Sequence, residues 1–359
     1  MTITLNWGIL GAGNISGQFV HDLLVNNVDP EGSIKHTIIS VGSSSASKGE
    51  DFIKSNGIKT SNNNGVEAIT EEYDDFYKNG KIDIVYVGTP HTFHKEQVTQ
   101  CLENGKHVLV EKPITLNAKD ARELIELAKV KNKFLMEGVW TRFFPSVELI
   151  REHIFEKKTL GEVYKLFADF SMNFEVEKLP TSLRGRDIKL GAGATLDIGI
   201  YSVTYGRILL DDKLGENSTP FDTKSFLSLD PTDKVDHDST ILIKYENGKQ
   251  GILTSSNHTN GPDSFVRLEG TEAVLEMWSD NPARPKNFKI TFTDKSKSPI
   301  VFEEKNDYNG FIYEANSIAK EINEGKIESS VLPWSETLLV MGIMDKARLE
   351  NGLIYPQEK

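Results

Sequence analysis

Three stretches of this chain carry residue types whose spacing suits chemistry. The first is Gly11-Ala-Gly13-Asn14-Ile15-Ser16-Gly17, directly after the apolar run Trp7-Gly-Ile-Leu10. A G-x-G turn between a strand and a helix offers backbone N–H groups and a helix N-terminus to a phosphate. Gly11 allows the tight turn and Gly13 lets the backbone approach a pyrophosphate. Ser16 replaces the third glycine and is still small enough for close helix–strand packing. The second stretch is Glu111-Lys112-Pro113, which follows the strand-like His107-Val-Leu-Val110. Ligands of doubly wound sheets sit at the carboxyl ends of the strands. Lys112 is therefore expected at a ligand cleft, where a partly desolvated lysine can pass or polarise a proton. The bland alternative is a solvent-facing lysine before a proline turn. The third stretch is Gly191-Ala-Gly193-Ala-Thr-Leu-Asp197-Ile-Gly-Ile-Tyr201. Its spacing puts Asp197 and Tyr201 at i and i+4, on one expected helix face. A carboxylate and a phenol near a lysine make a proton-transfer group. The alternative is a core tyrosine beside a helix-capping aspartate.

The elements that must position these groups follow from periodicity. Strand-like runs at 7–10, 36–41, 82–87, 107–110 and 134–136 alternate with helical patterns at 15–25, 46–55, 93–102 and 118–130. Strand and helix in short alternation predict an α/β domain, an N-terminal Rossmann doubly wound parallel sheet. After Met136 the strand-like segments follow one another, at 163–174, 226–229, 240–245, 251–256, 265–270, 273–278 and 289–293. Turn signals such as Asn247-Gly248 separate them. They predict a C-terminal α+β domain with a large, mainly antiparallel open sheet. Residues 310–323 and 334–350 return to helical period. Residues 211–238 read as a surface connection, and Glu71, Glu72, Asp74 and Asp75 as a solvated turn or helix end. The expected domains are 1–137, which holds a dinucleotide, and 138–359, which holds substrate and pairs with a second copy.

The residues after the second strand bear on which dinucleotide. NAD enzymes usually carry an acid there, bonded to the ribose 2′-hydroxyl. Here the strand ends Val41-Gly42-Ser43-Ser44-Ser45, with Lys48 a turn later. Hydroxyls and an ammonium suit a 2′-phosphate, so NADP is favoured over NAD. The alternative is that the serines merely cap the helix at Ala46. His91 and His94 are three apart but have no third ligand near in sequence. They read as a helix start, and no metal site is expected.

Further motifs agree in order and spacing. Thr89-Pro90-His91, His94, Gly105-Lys-His107 and Glu111-Lys-Pro113 resemble the signature of the Gfo/Idh/MocA family of glucose–fructose oxidoreductases, inositol dehydrogenases and related sugar dehydrogenases. Residues 311–354, with Glu336-Thr-Leu338, resemble that family's ending, so the likeness spans essentially the whole chain. Asp197-x-x-x-Tyr201 and Glu137-Gly-Val-Trp140-Thr-Arg142-Phe-Phe-Pro145 are similar to the subgroup of dimeric dihydrodiol and NADP-dependent D-xylose dehydrogenases. The resemblance implies Lys112 and Tyr201 as the catalytic pair, supported by Asp197. It implies Gly11, Asn14, Ile15, Thr89, Pro90, His94, Glu111, Lys112, Trp140 and Arg142 around the nucleotide and nicotinamide, and a cis bond before Pro113. Two departures stand out: Ser44 where dihydrodiol dehydrogenases carry arginine, and His91 where the family often has asparagine. The implied activity is hydride transfer between NADP and a hydroxyl-bearing carbon of a sugar or cyclic trans-diol. Two alternatives remain open, a dinucleotide-binding regulator without catalysis and a reductase of a keto- or anhydro-sugar. The joint presence of Lys112, Asp197 and Tyr201 weighs against the first. Arg184 and Arg186 either line a substrate pocket or are surface charges.

Composition sets the outer limits. At 359 residues, 38% hydrophobic and 26% charged, the chain is globular and long enough for two domains. With 53 acids against 41 bases its net charge is −12, which excludes a general nucleic-acid-binding surface. No apolar run approaches the roughly 20 residues of a membrane span. The opening residues lack a basic n-region and a long apolar core, so no leader is expected. The single cysteine, Cys101, cannot form an internal disulfide. That fits a reducing compartment, and a cytoplasmic location is expected. The broad second sheet suggests a homodimer through its face.

Overall fold

The computed structural model describes residues 2–306 and 308–359. The chain forms two compact units. The first comprises the chain up to Thr115, Lys119–Trp140 and Asn306–Trp334. The second comprises Leu116–Ala118, Thr141–Lys305 and Ser335–Lys359. No helix of the described residues is long and apolar enough to cross a membrane.

The first unit is a parallel sheet of β1 (Ile3–Leu10), β2 (Ile34–Gly42), β3 (Ile69–Glu71), β4 (Ile84–Val87), β5 (His107–Glu111) and β6 (Leu135–Gly138). Its order is β3-β2-β1-β4-β5-β6, a doubly wound arrangement whose sequence reverses direction beside β1. The helices α1 (Asn14–Val25), α2 (Ala46–Ser55), α3 (Tyr73–Lys78), α4 (His94–Glu103) and α5 (Ala118–Lys131) connect the strands. Unbroken apolar runs such as Ile84-Val-Tyr-Val87 mark strands covered on both faces; all four residues of β4 are buried. Of the two readings of the acids at 71–75, the helix end holds for Glu72, Asp74 and Asp75. Glu71 closes the edge strand β3, and Asp74 and Asp75 open α3, which buries Phe76. A three-residue strand is too short to show a period.

Segment 306–334, expected in the second domain, belongs to the first unit. The cause is α8 (Phe311–Asn323), which packs on α1 and β1. Asp22 of α1 is fully buried and caps α8. Its Oδ2 accepts from the Gly310 and Phe311 N–H groups at 2.7 and 2.9 Å, and its Oδ1 from Asn309 N–H at 2.9 Å. A carboxylate there satisfies the orphan donors of a helix start and complements its dipole. Trp334 Nε1–H then donates to Leu135 O at 2.8 Å.

The second unit is built on an eight-stranded sheet. Its strands are β7 (Val163–Ser171), β8 (Phe221–Leu229), β9 (Asp236–Tyr245), β10 (Gln250–Ser256), β11 (Ser264–Gly270), β12 (Ala273–Trp278), β13 (Asn287–Phe292) and β14 (Ile300–Glu303). The order is β14-β13-β12-β11-β7-β10-β9-β8. Every pair is antiparallel except β7 with β10. Register gives the sheet two unlike faces. One row runs Ile243, Gly251, Leu166, Leu268, Leu275, Ile290, and all six are buried. The alternate row runs Lys224, Leu242, Ile252, Phe167, Arg267, Glu276, Lys289, Val301, and none is buried. The period of two separates the faces. Against the buried face lies α7 (Ile200–Leu210), with all its residues buried. The unit also holds α6 (Pro145–Arg151) and, from Ser335 on, α9 (Trp334–Glu350). The stretch 211–238 is not merely a connection, since it contains all of β8. That edge strand is polar through residues 222–225, so its apolar content is low.

Candidate active site

In the first unit the sequence-selected residues gather along one edge of the sheet, because each group follows a parallel strand. After β1, Gly11 takes φ +102°, and a Cβ there would meet Thr89 Cγ2 at 2.8 Å. Only glycine makes this turn without strain. Gly13 is the N-cap of α1, extended and without a side-chain cap. Asn14 and Ile15 open the first helical turn, and that turn carries no acid. Its N–H groups therefore present positive potential to an anion. A groove of about 630 Å³ begins at Gly13 and Asn14 and runs past Gly17 and Gln18 to Phe52 and Asn56. These features fit a dinucleotide phosphate.

At the end of β2 the three serines differ. Ser43 is buried and donates to Ser45 O at 2.6 Å. Ser45 stands at the N-cap of α2 but makes no side-chain capping bond, so capping does not account for it. Ser44 is exposed, and Lys48 Nζ donates to its Oγ at 3.2 Å. Ser44 and Lys48 are thus the exposed pair at the edge where a ribose would lie.

After β4 and β5, His94 ties two loops together. Its Nδ1 lies 3.0 Å from Pro113 O and its Nε2 2.9 Å from Thr89 O, with 1% of the residue exposed. Thr89 Oγ1 donates to Gln97 Oε1 at 2.5 Å, and Pro90 precedes the turn His91–Phe93. His94 thus fixes the backbone around Thr89 and Pro113 from inside. The Lys112–Pro113 peptide is cis, and Ile114 N–H donates to the buried Glu137 at 2.9 Å. Lys112 itself is half-buried. Glu111 is buried and accepts the Tyr86 hydroxyl at 2.7 Å. Beneath it, burial and the nearby Glu111 and Asp22 hold the Glu314 carboxyl well above the usual range.

Two residues expected beside the nicotinamide have other roles. Trp140 is buried, its ring stacked on Phe311 at 4.0 Å. Arg142, in the second unit, has a side chain only 3% exposed and donates to Glu336 Oε1 at 2.8 Å. Arg207 donates to both oxygens of the same carboxylate at 3.1 Å, and Gly215 N–H to Oε2 at 2.8 Å. Burial would raise the Glu336 pKa, but Arg142 and Arg207 hold it below the usual range. Removing one partner of such a cluster strands buried charge. Glu336→Gln is accordingly expected to lower unfolding stability by about 3–5 kcal/mol, as read from urea denaturation.

In the second unit Tyr201 is the second residue of α7, and Asp197 lies in the turn just before that helix. Thr195–Gly199 is a π-helical turn, a form frequent at functional sites. Asp197 is 38% exposed, with Arg184 Nη2 3.8 Å from its Oδ1. Tyr201 is buried, its ring 5.2 Å from that of Phe170. The two arginines left open by the sequence thus separate. Arg184 is exposed beside Asp197. Arg186 is buried, donating to Asp233 at 2.6 Å and to Leu179 O at 3.1 Å, and anchors its loop. Among the described residues, Asp230, Asp233 and His237 bring ligand-type atoms within 4.8 Å of one another. Arg186 already lies against both carboxylates, so the group reads as an ion-pair anchor.

Comparison with known proteins agrees with this architecture. Residues 5–139 match the model of an oxidoreductase family with an NAD-binding Rossmann fold. Residues 150–276 match the GFO/IDH/MocA C-terminal domain. A D-xylose 1-dehydrogenase (NADP(+)) of Hypocrea jecorina is 33% identical over 99% of this chain and 94% of its own. A trans-1,2-dihydrobenzene-1,2-diol dehydrogenase of Xenopus tropicalis is 31% identical over 98% of this chain and 99% of its own. Among solved structures, a levoglucosan dehydrogenase in complex with NADH and levoglucosan superposes with a TM-score of 0.79 at 19% identity, over 97% of each chain. A 3-ketoreductase from Actinomadura kijaniata gives 0.78 at 19% identity, over 96% of this chain and 97% of its own. At that identity the likeness establishes the fold alone. With relatives above 30% identity aligned over nearly its whole length, the chain belongs to the Gfo/Idh/MocA oxidoreductase family.

Proposed function

We propose that this protein is an NADP-dependent dehydrogenase of a sugar or cyclic trans-diol, of the D-xylose or dihydrodiol type. The observation that carries it is the half-exposed Asp197 one π turn before Tyr201, in a chain that aligns end to end with dehydrogenases of those two kinds. When bound, NADP⁺ would supply the hydride acceptor for the carbon that bears the hydroxyl. Tyr201, as phenolate, takes the hydroxyl proton as that carbon becomes a carbonyl. Lys112, as a cation, lowers the phenol's pKa from about 10 and holds the substrate oxygen. Asp197, with Arg184 beside it, orients the tyrosine and the sugar hydroxyls. Backbone N–H groups after Gly13 hold the pyrophosphate, with Asn14 and Ile15 beside it. Thr89, Pro90 and Glu111 line the backbone path toward the nicotinamide.

The preference for NADP rests on Ser44 and Lys48, with no carboxylate in the place where NAD enzymes carry one. Lys48→Glu is expected to weaken NADPH binding by about tenfold or more, a loss of some 1.4 kcal/mol, while NADH binding changes little. Nucleotide fluorescence titration reads both, and an equal loss for the two would remove Lys48 from the 2′-phosphate. A homodimer through the open sheet face belongs to the same reading. Phe226, Leu242 and Phe167 on that face are 71%, 39% and 37% exposed, and light scattering gives the mass. The reading includes a cytoplasmic location, supported by a single cysteine, Cys101, that is buried and free. NADP⁺ offered with a panel of aldoses and trans-diols, followed at the NADPH absorbance, tests the function as a whole.

A further inference from the structure

The segment that leads into Asp197 and Tyr201 is pinned from outside at three points. Residues 353–359 fold back onto the second unit as a short turn. Arg348 of α9, whose side chain is fully buried, grips that turn. It donates to both carboxylate oxygens of Glu358 at 3.0 Å, and to Asp345 at 2.7 Å and Leu116 O at 3.1 Å. Glu358 Oε2 also accepts from Tyr355 N–H at 2.9 Å. A bidentate arginine–carboxylate pair sets orientation as well as energy. The turn so fixed reaches the catalytic segment. Tyr355, fully buried, donates its hydroxyl to Ala192 O at 3.0 Å. Exposed Gln357 donates to Lys189 O at 2.6 Å.

The third point is Asp236, at the start of β9 and fully buried. Its Oδ2 accepts from Thr195 N–H at 2.7 Å and from Thr195 Oγ1 at 2.6 Å. A Cβ on Gly193, at φ +140°, would collide with its Oδ1, so Gly193 passes directly over the carboxylate. Burial pushes the Asp236 pKa up to about 6, which the Thr195 bonds oppose. The bonds that Tyr355, Gln357 and Asp236 make to residues 189–195 all go to main chain, except the one from Thr195 Oγ1. They therefore set the path of residues 189–195 whatever their side chains. That path ends in the π turn, a conformation with poorer local support than α-helix.

We propose that Tyr355 and Asp236 are positioning residues for Asp197 and Tyr201, and that the 353–359 turn acts as a clasp on the catalytic segment. The proposal rests on the dehydrogenase reading above. Because a misplacement of about 1 Å costs about 10²-fold in rate, Tyr355→Phe is expected to lower kcat about tenfold or more. It removes one hydroxyl and opens no cavity, so the melting temperature moves by no more than a few degrees and KM for NADP⁺ stays within about twofold. Gln357→Ala, at an exposed position, is expected to lower kcat in the same direction by a smaller factor. The decisive readout is the double variant. If Tyr355 acts through Tyr201, then Tyr355→Phe has no further effect on kcat in a Tyr201→Phe background. Unchanged kcat in Tyr355→Phe, or losses that multiply in the double variant, would overturn the proposal. Lack of dehydrogenase activity in the unsubstituted chain would overturn the dehydrogenase reading with it. An active unsubstituted protein whose kcat is unchanged by Tyr355→Phe overturns the clasp alone.

Discussion

Tyr201→Phe is expected to lower kcat by at least about 10²-fold while NADPH still binds within about twofold of normal. The reasoning is chemical. Oxidation of an alcohol by hydride transfer leaves a proton on oxygen, and a base must take it as the carbonyl forms. General acid–base help of this kind is worth about 10²–10⁴-fold, and phenylalanine keeps the ring but not the group that accepts the proton. The ring's packing against Phe170 survives the change, so stability is expected to move little. In the proposed site nucleotide binding rests on the first unit's loop at Gly11–Ile15, so it is expected to be insensitive to the loss of this hydroxyl. Near-normal kcat in this variant would remove Tyr201 from the role of base.

Lys112→Met is expected to lose at least about 10²-fold in kcat as well, for a different reason. A phenol of ordinary pKa about 10 is a poor base at neutral pH. In general an ammonium beside a phenol favours the phenolate, which is the role proposed for Lys112. Methionine fills nearly the same volume without charge. The residual activity of Lys112→Met is therefore expected to rise with pH more steeply than in the unsubstituted protein, as the phenolate is restored. A pH–rate profile that keeps its shape would deny the lysine this role.

Much of the first unit was legible in residue order. The turn at Gly11–Gly17 announces itself because glycine is required where φ is +102°, and the strands beside it are buried on both faces. α2 begins and ends where period and Asn56-Gly57 place it. The second unit was legible as successive strands. Its parallel pair β7–β10 was not, since nothing local in a strand names its neighbour. The π turn before α7 was also hidden, because i, i+4 spacing reads alike in either helix. Long-range charge pairing is what residue order hides most completely. Arg142 has a neighbourhood that suggests a nucleotide contact, yet its carboxylate is Glu336, 194 residues away. The same distance problem conceals Asp22 beneath α8, Asp236 beneath Thr195 and Tyr355 against Ala192. Each is an ordinary acid or phenol in sequence and takes its role from burial and geometry. The net charge of −12 was a poor guide to an anionic ligand. In the proposed site Lys48, Lys112 and the N–H groups at the start of α1 would supply the local positive potential, while Arg142 pairs with Glu336 within the second unit.

Deuterium transfer is the most direct test of the proposed reaction. D-xylose deuterated at C1, or a trans-diol deuterated at its hydroxyl-bearing carbons, is incubated with the protein and NADP⁺, and the NADPH formed is examined by mass spectrometry. The dehydrogenase reading predicts NADPH one mass unit heavier, formed in step with the carbonyl product and slowed at least about 10²-fold by Tyr201→Phe. NADPH without deuterium, or no NADPH from any sugar or diol supplied, would contradict it.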